Sequence, residues 1–195
     1  RKAPDFTVPA VMADGSIEEN WQFYEQTKGQ YKILLFYPLD FTFVCPSELL
    51  AAHNRSEEFA KRNASIVTMS VDSHFTHAAW RKTPVTEGGV GAVNFTMASD
   101  LSHDVMRMYG VELMEAKVAL RASFIIDQAG IVQAQLTNNL PLGRNMGEIL
   151  RLLDALQFHE QHGEVCPAGW SSGDQGMTAS AEGVAEYLGN NAANL

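Results

Sequence analysis

The chain has 195 residues, a formal net charge of −9 and an apolar content of 46%, which is enough for one domain with a sizeable hydrophobic core. The acidic balance speaks against a nucleic-acid-binding protein, because the clustered lysines and arginines that bind phosphates are lacking. The two cysteines are too few for a disulfide scaffold. They indicate either reduced structural thiols or a catalytic redox pair.

We expect neither a membrane-spanning segment nor an export signal in this sequence. No apolar run approaches the roughly 18 residues that a membrane-spanning helix needs, and Arg1–Asp5 does not lead into an apolar signal core. A cytoplasmic protein without a membrane partner is therefore expected. A targeting segment removed ahead of Arg1 stays open as an alternative.

The first half of the chain predicts a β-α-β unit. Residues 31–37 form a short continuous apolar stretch, which is typical of a strand buried on both faces of a parallel sheet. A helix is predicted over residues 46–62, with Pro46 at the first helical position, where proline is favoured. Residues 65–71 complete the unit as its second strand. Cys45 therefore stands at a strand-to-helix junction.

The elements expected after this unit are short and have clear end signals, such as the Ser99-Asp100 N-cap and Gly110 at a helix end. They are helices over 74–82 and 101–109, a strand over 94–98, a β-hairpin of residues 122–127 and 131–136, and an amphipathic helix over 146–161.

The composition changes at Gly163, after which Gly, Ser, Ala and Asn dominate. We therefore expect a domain of residues 1–162 and a C-terminal arm of residues 163–195. The arm carries Cys166 with Trp170 close by, and it is expected to be mobile or to be ordered only by packing on another surface.

The position of Cys45 in the chain gives a physical reason to expect a reactive thiol. The thiolate is the nucleophilic form of cysteine, and the N-terminus of the helix that begins at Pro46 favours the anion. Thr42 lies three residues earlier and comes within reach if the segment from Pro38 to Cys45 curls into a turn. Its hydroxyl both donates and accepts hydrogen bonds. The alternative is a structural thiol, since free cysteine behaves as a small buried hydrophobe.

Arg121, just before the strand predicted over 122–127, is the candidate cation for such a site. Attack on an O–O bond places negative charge on the leaving oxygen, and a guanidinium offers several donors in one plane. The residues alone favour the plainer interpretation, a solvated arginine.

The histidines offer a second candidate site, a metal centre. They include two pairs at i,i+3 spacing, His74 with His77 and His159 with His162. A metal site needs more ligands and an outer shell of partners, so these residues are interpreted as lying on helix surfaces. Trp80 is open to two interpretations, core packing or an interface.

Two segments resemble a known family. The sequence FYPLDFTFVCPSE at residues 36–48 resembles the active-site signature of typical two-cysteine peroxiredoxins, and VCPAGW at residues 165–170 resembles their resolving segment. The bacterial alkyl hydroperoxide reductase C subunits are the most similar group. The resemblance extends over nearly the whole chain, including APDF at 3–6, VDSH at 71–74 and FIID at 124–127.

This resemblance implies a thioredoxin-like α/β fold, with a central mixed β-sheet flanked by helices and an extended C-terminal arm. It also implies a role for each candidate residue. Cys45 is the peroxidatic cysteine and Cys166 the resolving cysteine. Around Cys45, Pro38 shields the thiol, Thr42 holds the peroxide oxygen, and Arg121 binds thiolate and substrate, while a polar network of Glu48 and Arg144 positions Arg121.

The implied activity is that of a thiol-dependent peroxidase, which reduces hydrogen peroxide and small organic hydroperoxides. Cys45 is oxidised to a sulfenic acid, which condenses with a second thiol. The two cysteines are 121 positions apart, which rules out a local CxxC pair and leaves an arm that reaches its own site or a neighbour's. The resemblance implies the neighbour's site, and hence an antiparallel homodimer, commonly assembled as a decamer of five dimers.

The same chemistry defines the expected cofactors and partners. No haem, flavin or metal cofactor is needed, because the sulfur itself carries the electrons. The reductant is external, and the resemblance implies a flavoprotein disulfide reductase or, as second choice, thioredoxin. The alternative function is an oligomeric holdase chaperone or a peroxide-sensing relay that passes its oxidation to other proteins. Both functions keep Cys45.

Overall fold

The computed structural model describes residues 1–195, apart from the side chain of residue 194. The strands are β1 (Thr7–Val11), β2 (Ile17–Gln22), β3 (Tyr31–Phe36), β4 (Ala64–Ser70), β5 (Thr96–Ser99), β6 (Glu112–Leu113), β7 (Val118–Ala119), β8 (Arg121–Ile126) and β9 (Val132–Asn138). The helices are α1 (Phe23–Gln26), α2 (Cys45–Asn54), α3 (Ser56–Lys61), α4 (His74–Lys82), α5 (Asp104–Met108), α6 (Met146–His162) and α7 (Ala181–Asn191).

The main sheet is mixed, and its strand order among the described residues is β2-β1-β5-β4-β3-β8-β9. β3 pairs in parallel with β4, and β4 in parallel with β5, whereas β8 lies antiparallel to both β3 and β9. Every residue of β3 is buried, as expected for a central strand that is covered on both faces. The predicted β-α-β unit is therefore confirmed.

The helix predicted over residues 46–62 is two helices in the structure, separated at Arg55. Arg55 has φ −109° and ψ 8°, and it ends α2 and precedes α3. The side chain of Asn94 contacts both sides of the break, with 2.9 Å to His53 Nδ1 and 2.6 Å to Ser56 Oγ. Asn94 therefore bridges the end of α2 and the start of α3.

The helix predicted over residues 101–109 begins later than expected. The Asp100 carboxylate accepts from the backbone N–H groups of Val105 and Met106 at 3.1 and 2.8 Å, so it caps the helix from a more distant position than an ordinary N-cap. His103 has φ +66° directly before Asp104, where α5 begins. Gly110 follows the helix with φ +69°, in agreement with its predicted role as the end signal.

The remaining sequence predictions agree with the structure to within one or two residues for β4, β5, α4 and the β8–β9 hairpin. The β1–β2 hairpin was not predicted. It carries Trp21 into the main core, where Phe6, Phe23 and Phe124 also lie.

The chain divides into two compact units, Arg1–Met146 and Gly147–Leu195. The second unit contains nearly all of α6, an antiparallel bridge between Val165 and Met177, and α7, which the sequence analysis did not predict. The Ser180 hydroxyl caps α7 by accepting from the Gly183 N–H at 3.0 Å. The boundary expected after residue 162 stays a prediction.

No helix in the described part of the chain combines the length and the apolar character that crossing a membrane would require.

Candidate active site

Cys45 is the first residue of α2, and its side chain is buried, with 1% of its surface exposed. It follows residues 37–44, which leave the carboxyl end of β3 in the middle of the sheet. Crevices at the carboxyl ends of parallel strands are common binding sites in α/β folds. The N-terminus of α2 presents unpaired backbone N–H groups and the positive end of the helix dipole to this position, which is a favourable environment for negative charge.

Thr42 lies directly beside the Cys45 sulfur. Its hydroxyl oxygen is 3.1 Å from Cys45 Sγ and 2.8 Å from the carbonyl oxygen of Leu39. The single hydroxyl proton therefore has two acceptors within reach, and it can be donated to either of them. Phe41, between these residues, adopts φ +52°, which folds the segment back toward the helix.

Arg121 reaches the same sulfur from the start of β8. Its Nη1 is 3.3 Å from Cys45 Sγ and 2.8 Å from Glu48 Oε2, and its Nε donates to the Leu140 carbonyl at 2.6 Å. Burial opposes the charged form, but the hydrogen bond to Cys45 and the charge of Glu48 outweigh it and raise the pKa of Arg121. The guanidinium is thus a permanent cation against the sulfur.

Glu48 joins two arginines on the buried face of α2. Arg144 donates to Glu48 Oε1 from its backbone N–H and from Nε, both at 2.9 Å, and its Nη2 is 3.0 Å from Oε2. Burial alone would raise the pKa of Glu48, but the hydrogen bonds and charge of Arg144, followed by the charge of Arg121, lower it. The carboxylate therefore stays ionised and orients both guanidinium groups.

This network predicts a pH-dependent contribution to stability. Glu48→Gln should lower the free energy of unfolding by about 3 kcal/mol at neutral pH, because it leaves two buried arginines without their anion. A carboxyl group with a lowered pKa stabilises the fold above its ordinary value of 4.5, and this contribution is lost as the pH falls through the folded-state value. The difference between wild type and Glu48→Gln should therefore shrink on acidification.

Urea unfolding at about pH 7 and at about pH 4 measures this difference. Glu58→Gln, which changes an exposed carboxylate, is the matched control and should differ little from wild type at either pH. A gap between wild type and Glu48→Gln that stays constant between the two pH values would contradict the assignment.

The structure brings together six of the seven residues that the sequence analysis selected. They are Pro38, Thr42, Cys45, Glu48, Arg121 and Arg144, of which Pro38, Thr42 and Arg121 line one cavity of about 490 Å³. The solvated interpretation of Arg121 is wrong, since only 4% of its surface is exposed.

Cys166, the seventh selected residue, lies in the second compact unit and is half-buried. Its Sγ is 3.4 Å from the Ala155 carbonyl of α6. Burial, assisted by the charge of Glu164 and opposed by that of Arg151, raises the pKa of the Cys166 thiol. Arg151 Nη1 also donates to the Trp170 carbonyl at 2.6 Å, and the Trp170 ring packs on Phe158 at 4.9 Å.

Sequence reasoning missed several buried polar residues near the loop. The expectation that the histidines lie on helix surfaces is wrong for His74 and His77, which are 9% and 0% exposed. His77 contacts Asp40, a residue to which the sequence analysis gave no role. The signal available in the sequence was a carboxylate inside a loop that is apolar apart from Thr42. Among the described residues, no group of three or more His, Cys, Asp or Glu side chains is arranged to hold a metal ion.

Comparison with known proteins gives matches over both parts of the chain. A family model described as the AhpC/TSA family matches residues 1–135, and one described as the C-terminal domain of 1-Cys peroxiredoxin matches residues 155–190. Alkyl hydroperoxide reductase C of Buchnera aphidicola subsp. Schizaphis graminum is 47% identical over 188 residues, which are 96% of this chain and 95% of that protein. The protein of the same name from Helicobacter pylori is 45% identical over 193 residues, 99% and 97% of the two chains.

The fold of this chain also matches a solved structure. The crystal structure of reduced Plasmodium vivax 2-Cys peroxiredoxin superposes with a TM-score of 0.93 at 46% identity, and the match covers 97% of each chain. This agreement confirms the predicted α/β fold, a thioredoxin-like mixed sheet flanked by helices.

Proposed function

Because this chain belongs to the AhpC/TSA family and is a thiol-dependent peroxidase, a peroxiredoxin, we propose that Cys45 is the thiol that attacks the peroxide and Cys166 the thiol that resolves the product. The observation that carries the first assignment is the contact of Cys45 Sγ with Thr42 and Arg121, at 3.1 and 3.3 Å, at the start of a helix. The second rests on Cys166 being the other free thiol.

In the first step the Cys45 thiolate attacks the nearer oxygen of the hydroperoxide and the O–O bond breaks. The sulfur loses two electrons and becomes a sulfenic acid, while the departing oxygen takes a proton and leaves as water or an alcohol. Arg121 stabilises the negative charge that develops on the departing oxygen, and the Thr42 hydroxyl hydrogen-bonds to the attacked oxygen. Glu48 and Arg144 act through Arg121, which they hold in place.

The cavity beside the sulfur supports organic hydroperoxides as substrates in addition to hydrogen peroxide. It holds about 490 Å³, far more than hydrogen peroxide requires, and two of its lining residues are the polar groups Thr42 and Arg121. All eight other lining residues are apolar and suit an alkyl group: Pro38, Leu39, Phe43, Val44, Ala116, Val118, Leu140 and Pro141.

In the second step Cys166 of a partner subunit attacks the Cys45 sulfenic acid, which forms a disulfide and releases water. Cys45 is too deeply buried to meet a second sulfur in this conformation, so the first turn of α2 and the preceding loop must open. An external dithiol then reduces the disulfide by exchange, and this donor is a flavoprotein disulfide reductase or thioredoxin. A cytoplasmic location, where such reductants keep thiols reduced, fits this cycle.

Exposed aromatic side chains support an oligomer built on the first unit. Phe43 is 96% exposed in the active-site loop, and Phe75 on α4 is 66% exposed. Large apolar groups in such positions are typical of surfaces that other subunits cover. The proposed assembly is an antiparallel homodimer, with five dimers forming a decamer, and it needs neither a metal nor an organic cofactor.

Non-reducing electrophoresis tests the proposal. Reduced protein treated with about one equivalent of hydrogen peroxide or an organic hydroperoxide should migrate as a disulfide-linked dimer. Adding a thiol reductant should convert this dimer back to monomers. Cys166→Ser should still be oxidised at Cys45 but give no linked dimer and no turnover with a dithiol. Peroxide treatment that oxidises wild-type Cys45 without linking two chains would overturn the intersubunit resolution. Peroxide treatment that leaves Cys45 reduced would overturn the peroxidatic assignment.

A further inference from the structure

Next to the catalytic loop, three polar side chains form a closed buried cluster. The Tyr37 hydroxyl donates to Asp40 Oδ1 at 2.7 Å, and His77 Nδ1 lies 2.7 Å from Asp40 Oδ2. Tyr37 and His77 are 0% exposed, and Asp40 is 6% exposed. Polar groups buried this deeply reduce stability unless all of their hydrogen bonds are made, so the arrangement is expected to be rigid.

The hydrogen-bond partners of His77 indicate how many protons the His77–Asp40 pair shares. His77 Nε2 is 3.1 Å from the Ala98 carbonyl oxygen, which only accepts, so this nitrogen carries a proton. One further proton lies in the contact between Nδ1 and Asp40, on either the nitrogen or the oxygen. Both assignments give a His77–Asp40 pair with no net charge. In both, hydrogen bonds hold the Asp40 side chain between α4 and the end of β3.

Asp40 is also anchored through its backbone. Its N–H donates to Asp72 Oδ2 at 2.8 Å, and the same oxygen accepts from Ser70 Oγ at 2.8 Å. The side chain and the main chain of Asp40 are therefore held by two different segments, α4 and the end of β4. A residue with both anchors cannot rotate or shift without breaking several buried hydrogen bonds.

The anchored residue lies inside the turn that positions Thr42. The carbonyl of Leu39, immediately before Asp40, accepts from the Thr42 hydroxyl that contacts Cys45. Phe41, immediately after Asp40, has φ +52°, a conformation that a bulky residue rarely adopts and that neighbouring contacts must maintain. Its ring packs on Trp80 of α4 at 5.8 Å.

We propose that Asp40 is a positioning residue for peroxide attack: clamped between Tyr37 and His77, it holds the Leu39–Thr42 turn so that the Thr42 hydroxyl faces the Cys45 sulfur. The inference deepens the proposed function and rests on it, because it assumes that Cys45 and Thr42 act on the peroxide. Asp40 itself touches neither the sulfur nor, in this scheme, the substrate.

The test uses three substitutions in the Cys166→Ser protein, which isolates the first oxidation. Asp40→Asn keeps an acceptor for Tyr37 and places an amide N–H against His77 Nδ1, so it should oxidise within about threefold of the parent rate. Asp40→Ala removes both bonds, and its second-order rate constant with hydrogen peroxide should fall about 30- to 100-fold. Tyr37→Phe removes one bond without leaving a large cavity and should fall about fivefold.

Alkylation of Cys45 by iodoacetamide is the second readout, because it also consumes the Cys45 thiolate but needs no alignment by Thr42. It should change less than about threefold in every folded variant. Asp100→Ala, which removes an equally buried carboxylate that caps α5, is the matched control and should keep the parent rate with peroxide.

Two outcomes would overturn the inference. One is a folded Asp40→Ala protein that reacts with peroxide at the parent rate, or Tyr37→Phe at that rate if Asp40→Ala does not fold. The other is an equal fall in the peroxide and alkylation rates, which would indicate general loss of the site. A parent protein that peroxide does not oxidise at all would instead contradict the proposed role of Cys45.

Discussion

Cys45→Ser should reduce peroxide consumption with a dithiol reductant to the uncatalysed background. A serine hydroxyl in the same position is not ionised at neutral pH, and it cannot form a sulfenic acid, so neither the attack nor the disulfide step is available. The substitution replaces a buried sulfur with an oxygen that can still form hydrogen bonds with Thr42 and Arg121. The fold should therefore be retained. Stopped-flow peroxide decay, with circular dichroism to verify folding, measures both effects.

Cys166→Ser is the matched control for this experiment, since it removes the other free thiol. It should consume about one equivalent of peroxide per chain and then stop, because the sulfenic acid forms but is not recycled. Continued turnover by Cys45→Ser would show that Cys45 is not the peroxidatic residue.

The Cys45→Ser variant also separates peroxidase activity from holdase activity. If the chain also acts as a holdase, Cys45→Ser should still suppress aggregation of a client protein while its peroxidase activity is lost.

The parts of the site that the sequence revealed are those determined locally. An apolar run ending at Tyr37, a proline on each side of the loop and a helix pattern after Pro46 are enough to place Cys45 at a strand-to-helix junction. The contact with Thr42 follows from a separation of three residues within one turn. The resemblance then assigned Arg121 and Arg144 to this site. The residues alone offered Arg121 as a candidate but favoured a solvated arginine, and they did not indicate Arg144.

The long-range contacts depend on strand pairing, which local patterns do not determine. Arg121 reaches Cys45 because β8 lies antiparallel to β3, with Ser123 opposite Leu35, so that Arg121 extends past the end of β3. Glu48 and Arg144 meet across 96 positions of sequence. The late start of α5 has a local origin instead, because the Asp100 carboxylate accepts from N–H groups five and six residues further along the chain.

Arg121→Lys should lower the rate constant for Cys45 oxidation by about 10²- to 10³-fold, the cost typical of losing one donor to a developing oxyanion. Lysine keeps the positive charge but not the planar fork, so a single ammonium cannot contact Cys45 Sγ, Glu48 and the Leu140 carbonyl in the same geometry. Competition for hydrogen peroxide against a peroxidase of known rate measures the constant. Arg107→Lys, at a half-exposed arginine paired with Glu112, is the control and should have no effect on it.

A rate for Arg121→Lys within about threefold of wild type would show that charge alone is needed, and the fork geometry would then have no catalytic role. The double variant Glu48→Gln/Arg121→Lys tests how Glu48 contributes. Because the 2.8 Å contact places Glu48 behind the guanidinium and not against the sulfur, its substitution should slow peroxide attack only when Arg121 is present. The double variant should therefore react no more slowly than Arg121→Lys, whereas independent roles would make the two losses multiply.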